Sequence, residues 1–312
     1  MRTLIIAMMV AGCGFTPTPG NHVGQGDGGG SVDSAIDAPP DVALPIACGD
    51  LTCDPHATCD TSSTNATCAC AAGYTGNGFT CADVNECATA NGSCAAACQN
   101  TDGGFTCYVP QTCADLANHG VAVNNSSHTL YLGGLATQPY TVFCAGTGAA
   151  ANEYLSLSGT NTSIYQQGGD SPGTDVKTSF TKVRFMVATK LIDISDRTFS
   201  TSVGMVNHSN TGTMVTSMAY GVAMNCKGAN DSSTTASFDI SATQFAFDTN
   251  STFTKGGNQA GGSIQLSSQN QKLAVHGGGF CGWEAPTGTP TNPFNANVDA
   301  SNGQLLALVY AP

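Results

Sequence analysis

Ten cysteines between Cys48 and Cys107 limit what the first third of this 312-residue chain can become. The first six are Cys48, Cys53, Cys59, Cys68, Cys70 and Cys81, separated by four, five, eight, one and ten residues. Almost no aliphatic residues lie between them. A segment this short buries too little apolar surface to fold without cross-links, so it reads as a stapled, loop-rich module rather than a packed core. A structural zinc site needs paired Cys-x-x-Cys elements, and the sequence has none.

The N-terminus points to export. Met1-Arg2 supplies a short positive end, and Leu4 to Ala11 is apolar but too short to span a bilayer. It runs into Val10-Ala11-Gly12-Cys13, which resembles a bacterial lipobox. That resemblance implies cleavage before Cys13 and a lipid on Cys13; an ordinary secretory signal is the plainer alternative. Fifteen cysteines less Cys13 leave fourteen, an even number suited to an oxidising compartment. Residues 1–12 are expected to be a signal peptide. Residues 13–44, rich in Pro, Gly, Ser and Asp, are expected to be a flexible tether. The expected location is the cell envelope of a Gram-negative bacterium, at the outer membrane or cell surface, with only the lipid touching membrane.

Charge is uneven. Gly14 to Thr112 holds ten acidic residues and no Lys or Arg, whereas the chain from Cys113 onward holds eleven acidic and eight basic residues. Such a surface lacks the cationic patch that nucleic acids need.

The hairpin Cys70-Ala-Ala-Gly-Tyr-Thr-Gly-Asn-Gly-Phe-Thr-Cys81 resembles the closing hairpin of an EGF-like module, with its Gly-aromatic-x-Gly-Asn-Gly signature. The resemblance covers residues 45–82 and implies the pairs Cys48–Cys59, Cys53–Cys68 and Cys70–Cys81. After the single linking residue Ala82 comes Asp83-Val84-Asn85-Glu86-Cys87, and after Cys98 comes Gln99-Asn100-Thr-Asp-Gly-Gly-Phe105. Together they resemble the calcium-binding class of EGF-like modules, here over residues 83–110. The resemblance implies calcium held by the side chains of Asp83, Glu86 and Asn100 and by the backbone carbonyls of Val84, Thr101 and Gly104. Calcium favours such hard oxygen donors; a chance Asp/Asn-rich turn is the alternative. Position 109 is Val where the family has a Cys-x-Cys pair, so the final hairpin is truncated, leaving Cys87–Cys98 and Cys94–Cys107. The even remainder gives Cys113–Cys144 and Cys226–Cys281.

From Cys113 onward, about 200 residues suffice for one sizeable core. Short segments such as Glu153-Tyr-Leu-Ser-Leu157 and Lys182-Val-Arg-Phe-Met-Val187 alternate apolar and polar residues, as half-buried strands do. Thr112 is placed to cap a short helix over Ala114 to Ala117, closed by Gly120. The expected fold is mainly β: small disulfide-rich modules followed by an all-β domain of about 200 residues.

The segment 111–312 resembles the GON domain, through Cys113-Ala-Asp-Leu116, Pro139-Tyr-Thr-Val-Phe-Cys144, Ala219-Tyr-Gly-Val-Ala-Met-Asn-Cys226 and Gly277-Gly-Gly-Phe-Cys-Gly-Trp283. No defined activity comes with that resemblance.

Catalytic signatures are sparse. There is no H-E-x-x-H, G-x-S-x-G or P-loop. His276-Gly-Gly-Gly279 reads as a glycine-rich turn, and Asp193, Asp196 and Arg197 as a turn with an ion pair. The expected function is non-catalytic: a recognition or adhesion lipoprotein that presents a β-rich head on a calcium-stiffened stalk to an extracellular protein or glycan. The alternatives are a calcium-assisted, lectin-like glycan binder and an unrecognised extracellular hydrolase. Exposed Trp283 or Tyr165 would favour sugar stacking, with core burial the plainer reading of Trp283.

Overall fold

The computed structural model describes residues 44–210, 212–228, 234–257, 262–287 and 305–312. The expected signal, Cys13 and nearly all of the tether lie outside the described residues. The chain is mainly β, with a single α-helix among the described residues. No helix described is long and apolar enough to cross a membrane.

The first stapled unit is three small hairpins: Ile46–Cys48 with Leu51–Cys53, Ala57–Asp60 with Thr67–Cys70, and Tyr74–Gly76 with Cys81–Asp83. Its buried apolar cluster is only Cys48, Cys53 and Ala57. Cross-links therefore carry the fold: Cys48–Cys59, Cys53–Cys68 and Cys70–Cys81. The sulfurs of Cys48, Cys53 and Cys68 lie within 4.8 Å of one another. Each is already bonded to another sulfur, so none is the thiolate a metal needs. The second unit has one hairpin, Ala97–Thr101 with Gly104–Tyr108, and the bridges Cys87–Cys98 and Cys94–Cys107.

A helix, Cys113–Asn118, opens the larger unit. Thr112 Oγ1 accepts from the Asp115 backbone N–H at 3.0 Å, and Asp115 Oδ2 accepts from the N–H of Thr112 at 3.1 Å. This reciprocal cap satisfies two end donors and stabilises so short a helix by about 1 kcal/mol. The Tyr108 and His119 rings stack at 3.8 Å, tying the second stapled unit to the helix end.

Two sheets share one buried core, which runs from Cys113 to Leu308. The seven-stranded sheet has the order Phe245–Phe247, Leu305–Tyr310, Leu191–Asp193, Lys182–Met186, Asn152–Ser156, Pro139–Ala145, Ser126–Tyr131. Tyr140 meets Phe185 and Phe245 edge-on at 5.8 and 5.3 Å in its interior. The larger sheet runs from Thr213–Val215 through Ser200–His208, Gly173–Phe180, Thr162–Gln166, Ala223–Asn225 and Gly282–Pro286 to Phe253–Gly256. Thr162–Gln166 pairs with Ala223–Asn225 in parallel. Two further disulfides, Cys113–Cys144 and Cys226–Cys281, tie the helix to one sheet and a late loop to the other.

One expected ion pair is absent. Arg197 is sequestered, and its Nη1 donates to Ile194 O at 2.7 Å rather than to a carboxylate. Asp193 accepts from Ser195, and Asp196 accepts from the Tyr154 hydroxyl at 2.8 Å and the Thr198 N–H. Asp193 is satisfied by turn donors, and Asp196 by a turn N–H and the Tyr154 hydroxyl, so neither carboxylate is left to pair with the guanidinium.

Candidate functional site

Of the sequence-expected metal ligands, Asp83 and Asn100 meet at the joint between the two stapled units. Asp83 ends the Cys81–Asp83 strand, opposite Tyr74. Its Oδ1 accepts from the Gly103 N–H at 2.7 Å, and its Oδ2 accepts from Asn100 Nδ2 at 2.6 Å. Asn85 caps the turn Glu86–Ala88, accepting from the Ala88 N–H and so fixing where Glu86 starts. Val84 donates its N–H to Gly73 O at 2.9 Å, and Thr101 faces Gly104 across the hairpin turn.

Two side-chain atoms in this constellation have no hydrogen-bond partner although each is buried: Glu86 Oε2 and Asn100 Oδ1. A buried acceptor without a donor costs roughly 1–3 kcal/mol, and more when it is charged. Both are oxygens, both belong to the expected ligand set, and no donor reaches either. A hard divalent cation is the kind of partner such atoms lack. The side-chain donors, two carboxylates and an amide oxygen, are of the kind calcium takes.

The joint is tight. The Tyr74 hydroxyl donates to Asp102 Oδ1 at 2.8 Å, which pushes the phenol pKa up to about 12. His56 stacks on Tyr74 at 4.5 Å, and its Nε2 lies 3.7 Å from Asp102 Oδ2. Gly103 packs so closely on Tyr74 that a Cβ there would lie 2.9 Å from the ring. The Asp54 carboxyl is held below its ordinary range by the backbone N–H of His56, then that of Cys81.

Elsewhere, the aromatic rings considered for sugar stacking do not reach solvent, in line with the core reading of Trp283. Trp283 and Tyr165 are both buried. Each lies in the larger sheet on a side chain that faces the core, so neither can stack on a ligand. Among the described residues of the head, Phe280 presents an exposed ring, 45% exposed, which the glycine-rich run around it concealed. His208 is buried as well, in a strand rather than a loop, with Nδ1 2.6 Å from the Tyr165 hydroxyl.

Burial pushes the His208 imidazole below its ordinary range. The folded state thus disfavours protonated His208, and that contribution is lost as pH falls through the unfolded value of about 6.5. Tyr165, Ser171 and Ser209 face the ring and stay neutral here. Glu284, pushed up by burial and eased by Lys255, acts with the opposite sign as pH rises past the carboxylate range. The thermal midpoint should therefore drop between about pH 7.5 and pH 5.5, and His208→Asn should flatten that drop. An unchanged slope in the variant would remove His208 from the account.

Comparison with known families finds two matches. Residues 49–81 match the EGF domain, and residues 169–291 match the GON domain. Residues 83–110 fall outside both matched stretches. No curated protein and no solved structure matches the chain.

Proposed function

We propose that this EGF- and GON-domain chain is a surface recognition protein whose calcium-locked stalk holds its β-rich head away from the cell. An EGF domain and seven disulfides among the described residues mark the chain as extracellular, and neither matched family is known for enzymes. The finer reading is an adhesion-type lipoprotein. Cys13 carries the lipid, residues up to 44 form the tether, residues 45–110 form the stalk and residues 111–312 form the head.

The observation that supports the stalk most directly is the pair of buried acceptors without donors, Glu86 Oε2 and Asn100 Oδ1, beside Asp83. Asp83, Glu86 and Asn100, with carbonyls of Val84, Thr101 and Gly104, would hold calcium. The ion would supply positive charge that satisfies these oxygens and couples Asp83, in the hairpin of the first module, to Asn100 in the second.

Calorimetric titration of the intact chain should give a dissociation constant on the order of 0.1–1 mM, the range of extracellular modules. Glu86→Ala and Asn100→Ala should each weaken binding by tenfold or more, since each removes a side-chain ligand. Absence of heat at millimolar calcium, or wild-type binding by both variants, would rule the site out.

A further inference from the structure

The head carries a pocket of about 300 Å³ whose walls include Gly169, Asp170, His208, Ser209, Phe280 and Cys281. That volume is at the small end of ligand clefts. Its rim is built from backbone that L-residues avoid: Ser209, Phe280 and Cys281 have φ of 51°, 49° and 61°. Left-handed backbone on non-glycine residues persists only where the surroundings impose it, and it gathers at binding sites. Here the surroundings are visible. Cys281 is bonded to Cys226, the Phe280 N–H donates to Lys227 O at 2.8 Å, and the Ser209 N–H donates to Ser171 Oγ at 2.8 Å.

The result is unusual placement. Phe280 is 45% exposed, and apart from Met224 the other described wall residues are small or polar. Asp170 and Ser209 line the same pocket, as does His208, whose ring is held by the Tyr165 hydroxyl. Among the described residues neither Lys nor Arg lines it, and the chain carries a net charge of −12, so an anionic ligand is disfavoured. A half-open pocket of this small volume also suits a compact ligand better than an extended peptide, which needs a groove or a free sheet edge.

We propose that this pocket is a saccharide site for a neutral or amino pyranose: the sugar's C–H face stacks on Phe280, and its hydroxyls pair with Asp170 and Ser209. This rests on the reading that the head is the recognising end. An aromatic face beside hydrogen-bonding groups suits a pyranose because that ring has one apolar face and a polar periphery.

Saturation-transfer NMR with the intact chain tests it, using the methyl glycosides of glucose, galactose, mannose, N-acetylglucosamine and glucosamine as probes. At least one should bind with a dissociation constant of about 1 mM, as expected for a ligand this small. Phe280→Ala and Phe280→Leu should abolish transfer, and the exposed, isosteric change Asp170→Asn should weaken binding about tenfold. Asp170→Asn also keeps the test readable if a Phe280 variant disturbs the loop. Transfer should survive a calcium chelator, because the pocket shares no residue with the Asp83 site; this separates failure here from failure of the stalk. Absence of transfer from all five glycosides, or equal transfer in the Phe280 and Asp170 variants, overturns the proposal.

Discussion

Gly73→Ala is expected to uncouple the two stapled modules and weaken calcium binding by tenfold or more, although no calcium ligand is touched. Gly73 has φ +88°, a left-handed conformation that costs an L-residue about 1–2 kcal/mol. Conformation is the smaller effect. A Cβ at this position would lie 2.3 Å from Gly103 O and 2.7 Å from Gly103 C, inside backbone that cannot rotate away. The two backbones must part, and parting them moves Asp83, whose strand pairs with Tyr74, away from Asn100 and Gly103. Gly120→Ala separates the two effects. Gly120 also has a left-handed φ, +77°, but nothing lies within 4 Å of its would-be Cβ. That variant should lose roughly the conformational cost alone and bind calcium normally. Titration and limited proteolysis near Ala82 read the result; normal calcium affinity in Gly73→Ala would show that the joint and the site are independent.

The largest single loss of stability is expected at Trp283, whose replacement by alanine should cost the head about 3–5 kcal/mol. Trp283 is 1% exposed and lies between Met224 and Gly256 on its neighbouring strands. A Cβ on Gly256 would sit 2.6 Å from the indole, so the ring occupies the space a side chain would otherwise fill. Once the indole is gone, a glycine has nothing to move into the void, which keeps the cost near the upper end. The indole Nε1 has no hydrogen-bond partner. Trp283→Phe loses the same orphan donor as Trp283→Ala but keeps most of the buried ring, so it should be far milder. Chemical denaturation compares them directly; equal losses would mean that the buried ring volume is not what stabilises the head.

What the sequence made legible was local. The cysteine spacing, the Asp83-to-Glu86 opening, the Asn100 position and the Thr112 cap are short-range patterns, and each is found where a few adjacent residues decide the geometry. Alternation in Glu153-Tyr-Leu-Ser-Leu157 likewise exposes its strand, Asn152–Ser156. The failures were long-range. Nothing near Trp283 or Tyr165 says which side of the sheet is covered, because that depends on strands some sixty and more residues away in sequence. Phe280 was invisible for the converse reason. An isolated ring in a glycine run has no period, and its outward turn is set by the bond from Cys281 to Cys226 and by Lys227 O.

The strand Leu305–Tyr310 lies between Leu191–Asp193 and Phe245–Phe247, and Tyr310 donates its hydroxyl to Pro139 O at 2.8 Å. A sheet whose inner strand arrives so late cannot close while the chain is still emerging. Until residue 310 is available, Ile192 and Phe245 face an open slot lined with unpaired backbone, the kind of edge that recruits stray strands. Export therefore delivers the molecule in two stages. The stapled units can be complete as soon as their thiols are oxidised, whereas the head stays unzipped until the final strand slides in. Any fusion placed directly after Tyr310 pulls on that last-closing element, so a reporter or affinity handle belongs inside the proposed tether, between Cys13 and Cys48.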